Sequence, residues 1–125
     1  MNELSDLATI DPEELNRLAE SKSREFVNIK TNQIRIFFSA VSTLRQHFRD
    51  TRRYDKELER SLILLKPRLA YAAGRQPVVK PFQAFMTQAI DGVTASENRD
   101  LAVRNFFSLV EAVVAYHKFH GGKEN

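Results

Sequence analysis

The sequence predicts an all-α fold, a compact bundle of about five helices in one domain over residues 1–125. Three observations carry this. Apolar residues recur at three- and four-residue spacing along most of the chain. Four glycines and four prolines in 125 residues are too few for a turn-rich β fold. A hydrophobic fraction of 42% at this length supplies a core without covalent staples. An acidic part, 1–21, precedes the core helices, 31–120. No repeat, low-complexity tract or long linker divides them.

The first helix starts at Asp11-Pro12-Glu13-Glu14. Asp11 caps the free amides, Pro12 suits the first turn and Glu14 holds the capping-box position. Leu15, Leu18 and Ala19 form one apolar face, and 21–28 could continue the helix. The second helix runs over about 31–49. Ile34, Phe37, Phe38, Val41, Leu44 and Phe48 make its stripe; Arg35, Arg45 and Arg49 lie off its centre, within reach of solvent or a ligand. The third segment, 54–73, keeps Leu58, Leu62, Leu65, Leu69 and Ala72 in phase. Pro67 interrupts it, which predicts a kink or a second short helix beginning at Pro67. Gly74 reads as a left-handed cap. The fourth helix starts near Pro81, turns Phe82, Phe85, Met86, Ala89 and Ile90 inward and ends at Gly92. The fifth covers 96–119, with Leu101, Phe106, Leu109, Val110, Val113 and Val114 apolar, and stops at Gly121-Gly122. Its broad apolar face predicts a central position. Residues 76–79 read as an inter-helix loop, and no segment reads as a strand.

Several chemistries are excluded. The chain has no cysteine, hence no disulfide, thiolate zinc site, iron–sulfur cluster or cysteine nucleophile. No apolar run approaches the ~18–20 residues of a membrane span, and the first eleven residues are acidic where a secretory signal would be basic. A cytoplasmic protein without a membrane partner is expected. There is no glycine-rich phosphate loop and no nucleophile elbow. His117 and His120 stand three apart near a helix end, but no Glu-x-x-His or His-x-x-x-His spacing accompanies them. They read as two histidines near a helix C-terminus, a position favoured by its dipole. The carboxylates of 1–20 read as a solvated surface. No catalytic residue, metal or cofactor is expected.

The net charge of +3 hides an asymmetry. Residues 1–21 carry one base against six acids, residues 22–75 thirteen against five, and residues 76–125 five of each. A basic middle implies an anionic partner, most often nucleic acid, or else a solvated basic helix surface. Lys30, Arg35, Arg45, Arg49, Arg52, Arg53, Lys56, Arg60, Lys66, Arg68 and Arg75 span two successive helices. Packed antiparallel, these could present one continuous strip. Thr31, Asn32 and Gln33 at a helix start can bind phosphate or ribose with the free amides, or simply cap and face solvent. Tyr71 and Arg75, four apart, share a helix face, and Tyr116 and Lys118 follow a long apolar run. An aromatic beside a cation can stack on a base or hold a ribose; either tyrosine can equally be a rim residue of the core.

Three motifs carry a resemblance. Gln33-Ile34-Arg35 opens a helix. Leu65-Lys66-Pro67-Arg68-Leu69-Ala70-Tyr71-Ala72-Ala73-Gly74-Arg75 follows, and Glu111-Ala112-Val113-Val114-Ala115-Tyr116-His117-Lys118 closes the chain. In order, spacing and total length the chain resembles the small helical subunit of the type III-A CRISPR effector, the Csm complex, over about 30–120. The acidic N-terminal stretch is not part of that pattern, and Arg68 stands where lysine is frequent. The resemblance implies a five-helix protein without catalytic activity. It implies copies stacked head to tail along the groove that holds crRNA paired with target RNA, opposite the backbone subunits. Target cleavage would belong to those subunits, and DNA cleavage with cyclic oligoadenylate synthesis to the large subunit. Basic residues would contact RNA phosphates without reading sequence. The expected RNA-binding residues are Lys30, Thr31, Asn32, Gln33, Arg35, Lys66, Arg68, Tyr71, Arg75 and Lys118. The expected partners are crRNA and target RNA, the backbone and large subunits, and neighbouring copies of the chain. The alternative is a helical protein–protein adaptor with a basic docking surface.

Overall fold

The computed structural model describes residues 4–124; Glu3 of the acidic stretch lies outside them. Among the described residues there are six α-helices and no strand: α1 (Pro12–Arg24), α2 (Thr31–Thr51), α3 (Lys56–Ile63), α4 (Leu65–Arg75), α5 (Lys80–Thr94) and α6 (Arg99–Phe119). Two short 3-10 turns, Leu7–Thr9 and Pro77–Val79, complete the order.

Helix α1 begins as its capping residues require. The Asp11 carboxylate accepts from the Glu14 amide at 2.8 Å, and Pro12 fills the first helical position. The helix stops at Arg24. The connector that follows is structural, because Phe26 and Ile29 are fully buried. Phe82 of α5 meets Phe26 and Phe37 edge-on, each with ring centroids 5.3 Å apart. This aromatic cluster joins the connector, α2 and α5. As its broad face predicts, α6 is central: it packs on α1, α2 and α5, with Val103, Phe106, Phe107, Leu109, Val110 and Val113 buried.

The third segment breaks at one residue, Leu64, into α3 and α4. The second helix begins at Leu65, two residues before Pro67. Pro67 thus stands in the first turn, where the amide it lacks would have no helical partner. Gly74 is not a left-handed cap. It lies inside α4, which ends at Arg75 with Gln76 extended. The stop comes from Pro77, whose ring excludes helical backbone at the residue before it. Gly92 does not end α5 either; the helix runs on to Thr94. A methyl group at Gly92 would collide with the Leu4 carbonyl, so the glycine admits the N-terminal segment. That segment buries Leu4, Leu7 and Ile10, and Asn105 donates to the Leu7 carbonyl at 2.7 Å. Asp6, half-buried, caps the first 3-10 turn by accepting from the Ala8 amide at 3.0 Å. Helix α6 starts three residues later than its pattern suggests, because Asn98 caps it by accepting from Leu101 at 3.3 Å. Leu101, in that first turn, is exposed rather than inward. Of the two closing glycines, Gly121 adopts the left-handed conformation, φ 80°.

Leu69 is 3% exposed and Tyr71 67%. Leu69→Ala is therefore expected to cost about 2–5 kcal/mol, while Tyr71→Phe leaves the urea midpoint nearly unchanged. Equal losses in the two variants would place the wrong face of α4 inward.

At the α2–α3 turn, Asp55 caps α3 by accepting from the Leu58 amide at 2.8 Å. His47 Nε2 lies 3.2 and 3.1 Å from its two oxygens. The Leu58 amide first, and the His47 hydrogen bond second, hold the Asp55 carboxyl below its ordinary value against an opposing desolvation effect. A carboxyl depressed in the folded state adds stability above its unfolded pKa and loses it as pH falls through the folded value. Thermal melts should therefore show wild type losing stability below about pH 4 more steeply than Asp55→Asn, which keeps a cap acceptor but cannot titrate. Parallel acid profiles would remove Asp55 from the acid response. Nearby, the Tyr54 hydroxyl donates to Glu59 at 3.1 Å and the Tyr54 amide to Asp100 at 2.7 Å. This ties the turn to α6. Burial first, then Glu59, raises the Tyr54 pKa.

Candidate nucleic-acid interface

Helix α2 packs on α3 and α6, and α4 packs on α5, which leaves a groove between α2 and α4. The two helices run antiparallel along it, as expected. Gln33 lies by Tyr71 and Arg75, while Ala40 and Thr43 lie by Leu64 and Arg68. The groove encloses about 520 Å³ between Gln33, Ile36, Arg68, Tyr71 and Arg75. Its floor is apolar, with Phe37, Leu69, Val79 and Phe82 beneath. The Arg75 guanidinium carbon stands 5.8 Å from the centroid of the Tyr71 ring. No carboxylate lines the groove. Neither Arg68 nor Arg75 has an acidic partner among the described residues.

A second groove lies on the other flank of α2, against α6. Thr31, Arg35, Phe38, Ser39, Val114 and Lys118 line it. Arg35 has no ion pair among the described residues, and Lys118 only a fully exposed approach to Glu124 at 3.8 Å. Such an exposed pair contributes little and leaves the lysine available.

Seven of the ten expected residues fall into these two grooves. Gln33, Arg68, Tyr71 and Arg75 gather in the α2/α4 groove, and Thr31, Arg35 and Lys118 in the α2/α6 groove. Lys66 belongs to neither. It is ion-paired with Asp91 of α5 and ties α4 to that helix, so its charge is already answered. Lys30 and Asn32 are exposed at the start of α2. The Thr31 amide is not free: it and the Thr31 hydroxyl both donate to the Lys123 carbonyl, at 2.9 and 3.0 Å. The Lys123 amide in turn donates to Val27 at 2.9 Å. A phosphate at this helix start would have to displace the C-terminal segment. Arg45, placed near solvent by its spacing, pairs with Glu111 at 2.7 Å. Arg49, Arg52, Arg53, Lys56 and Arg60 are exposed toward the other end of α2.

The histidines serve the fold. His117 is buried, its Nε2 3.0 Å from the Ile29 carbonyl, and a side chain at Gly122 would strike its ring. His120 stacks on Tyr116. Tyr116 is a rim residue, its hydroxyl donating to Asn16 at 2.7 Å. Among the described residues no three acidic or histidine side chains gather as metal ligands would. No helix among them is long and apolar enough to cross a membrane.

Ile36 was not singled out by its sequence pattern, and it is 60% exposed in the middle of the α2/α4 groove. A signal for it existed: two residues after Ile34, it is turned about 200° from the apolar stripe, so it is an apolar side chain on the solvent side.

These features define a class of small all-helical protein whose unpaired arginines sit in grooves on either flank of one helix. The Csm2 Type III-A family model matches residues 9–123. The Streptococcus thermophilus protein described as "CRISPR system Cms protein Csm2" is 31% identical over 107 residues, which cover 86% of this chain and 85% of that one. No solved structure matches. The chain belongs to the Csm2 Type III-A family and is a small subunit of the type III-A CRISPR complex.

Proposed function

We propose that the chain is a non-catalytic, sequence-independent RNA-binding subunit that lines the groove holding crRNA paired with target RNA. The observation that carries this reading is the set of arginines without acidic partners on both flanks of α2: Arg35 on one side, Arg68 and Arg75 on the other. Cations held exposed in grooves answer a polyanion, and contacts to phosphate carry no sequence information. Lys118 adds to the first flank, Gln33 and Tyr71 to the second, and Lys30 and Asn32 extend the surface at the start of α2. Sequence is read by base pairing between guide and target. The partners are crRNA and target RNA, the backbone and large subunits and neighbouring copies, in the prokaryotic cytoplasm. A net charge of +3 is modest, so the isolated chain binds weakly and gains strength from its neighbours.

The test is binding of the chain to guide–target duplexes of unrelated sequence across a salt series. Equal affinities that fall steeply with salt are expected. Affinity that ignores salt, or no binding to any duplex, would overturn the reading. The basic surface would then be a docking site for an acidic protein.

A further inference from the structure

The two grooves differ in a way that phosphate contact does not explain. The α2/α6 groove holds one large apolar side chain, Phe38, and that ring is half-buried. The α2/α4 groove exposes two, Ile36 at 60% and Tyr71 at 67%, above an apolar floor. Core packing accounts for neither of them, and a phosphate backbone has no use for apolar surface. Its volume falls in the range of small-ligand sites. Gln33 on the rim offers a donor and an acceptor on one rotatable amide, which can meet the edge of any base. Arg68 and Arg75 supply cations on either side of the ring of Tyr71 in sequence, one turn away on α4.

We propose that the α2/α4 groove receives one unstacked RNA base: Tyr71 and Ile36 contact its faces, Gln33 its edge, and Arg68 and Arg75 the flanking phosphates. The proposal rests on the RNA reading above and adds that one nucleotide leaves the helix at this face. Bases within an A-form duplex cannot reach such a groove, whereas a bulged or splayed base can. The amide of Gln33 suits either kind of edge, so the pocket tolerates sequence. The lack of any lining carboxylate matches an anionic ligand, and an aromatic ring with neighbouring arginines is the recurrent platform for single-stranded bases. An acidic peptide would use the arginines but would leave the aromatic platform without a planar partner.

The experiment compares two RNA duplexes, identical except that one carries a single unpaired 2-aminopurine nucleotide. Wild type is expected to bind the bulged duplex about tenfold more tightly and to quench the probe's fluorescence on stacking. Tyr71→Ala should bring the ratio of the two affinities to within about twofold and abolish the quench; Tyr71→Phe should keep both. Arg35→Ala, on the other flank of α2, should weaken both duplexes alike and preserve the ratio. Circular dichroism confirms that each variant is folded. Equal binding of both duplexes with unchanged fluorescence would overturn the base pocket while leaving the RNA reading in place. Failure to bind either duplex would overturn both. Capture of poly-glutamate dependent on Arg68 and Arg75, with neither RNA bound, would assign the groove to a protein.

Discussion

Phe82→Ala is expected to remove about 3–5 kcal/mol of stability, a large share of the roughly 5–15 kcal/mol that holds a domain of this kind together. The ring is 3% exposed and makes two edge-to-face contacts, with Phe26 and Phe37. Such pairs add to the burial of the ring itself. The hole left at this point would be shared by the α1–α2 connector, α2 and α5, and no one of them could close it alone. Urea titration followed by circular dichroism measures the loss. Phe119→Ala is the control, since that ring is 76% exposed and its removal should stay within about 0.5 kcal/mol. Similar midpoints for the two variants would mean that the aromatic cluster is not the core. Phe82 also floors the α2/α4 groove, so a milder substitution that keeps the fold should still deform that face.

The triple variant Arg35→Ala, Arg68→Ala, Arg75→Ala is expected to weaken RNA binding by about a hundredfold near physiological salt. Each phosphate contact contributes roughly 0.7 to the log–log salt slope on single strands and about 0.9 on duplex B-DNA. Removing three phosphate-binding charges should therefore lower the slope by roughly 2–3. The weakening should be the same for every guide sequence. Because the three side chains are exposed, the melting temperature should scarcely move. Lys66→Ala makes the contrast. Its charge is engaged by Asp91, so its removal should leave the salt slope unchanged. Arg35→Lys should keep only part of the arginine's effect, since a point charge replaces a bidentate fork. A folded triple variant with wild-type affinity and slope would show that neither flank of α2 faces RNA.

What the sequence made legible follows its range. Local signals read true: the Asp11 cap, the α2 stripe from Ile34 to Phe48, and the Tyr71–Arg75 pair all depend on residues within one or two turns. Glycine was ambiguous, because the same residue marks a left-handed cap, a helix interior or a close approach. Gly74 and Gly92 looked like stops and are an interior residue and a close approach, and only Gly121 adopts the left-handed backbone. Pairings across the chain had no local signal. Lys66 and Asp91 are 25 residues apart, and nothing near Lys66 distinguishes it from Arg68. The basic middle was visible as composition, but its division into two grooves depends on which flank of α2 each neighbouring helix occupies. That is a property of packing.

The main chain of Lys123 fixes the start of α2 to the end of the chain across a separation of 92 residues. Contacts that distant in sequence close a long loop, and folding gains them only after shorter-range structure has formed. This clasp also lies at the surface, resting on a few hydrogen bonds, while α6 buries one face from Ala102 to His117. The two regions should therefore differ in hydrogen exchange. The amides of Thr31 and Lys123 exchange through a small local opening, and those of Phe106 to Val113 only when the whole molecule unfolds. Each such opening bares the first turn of α2, with its positive dipole end, for a short time and without disturbing the core.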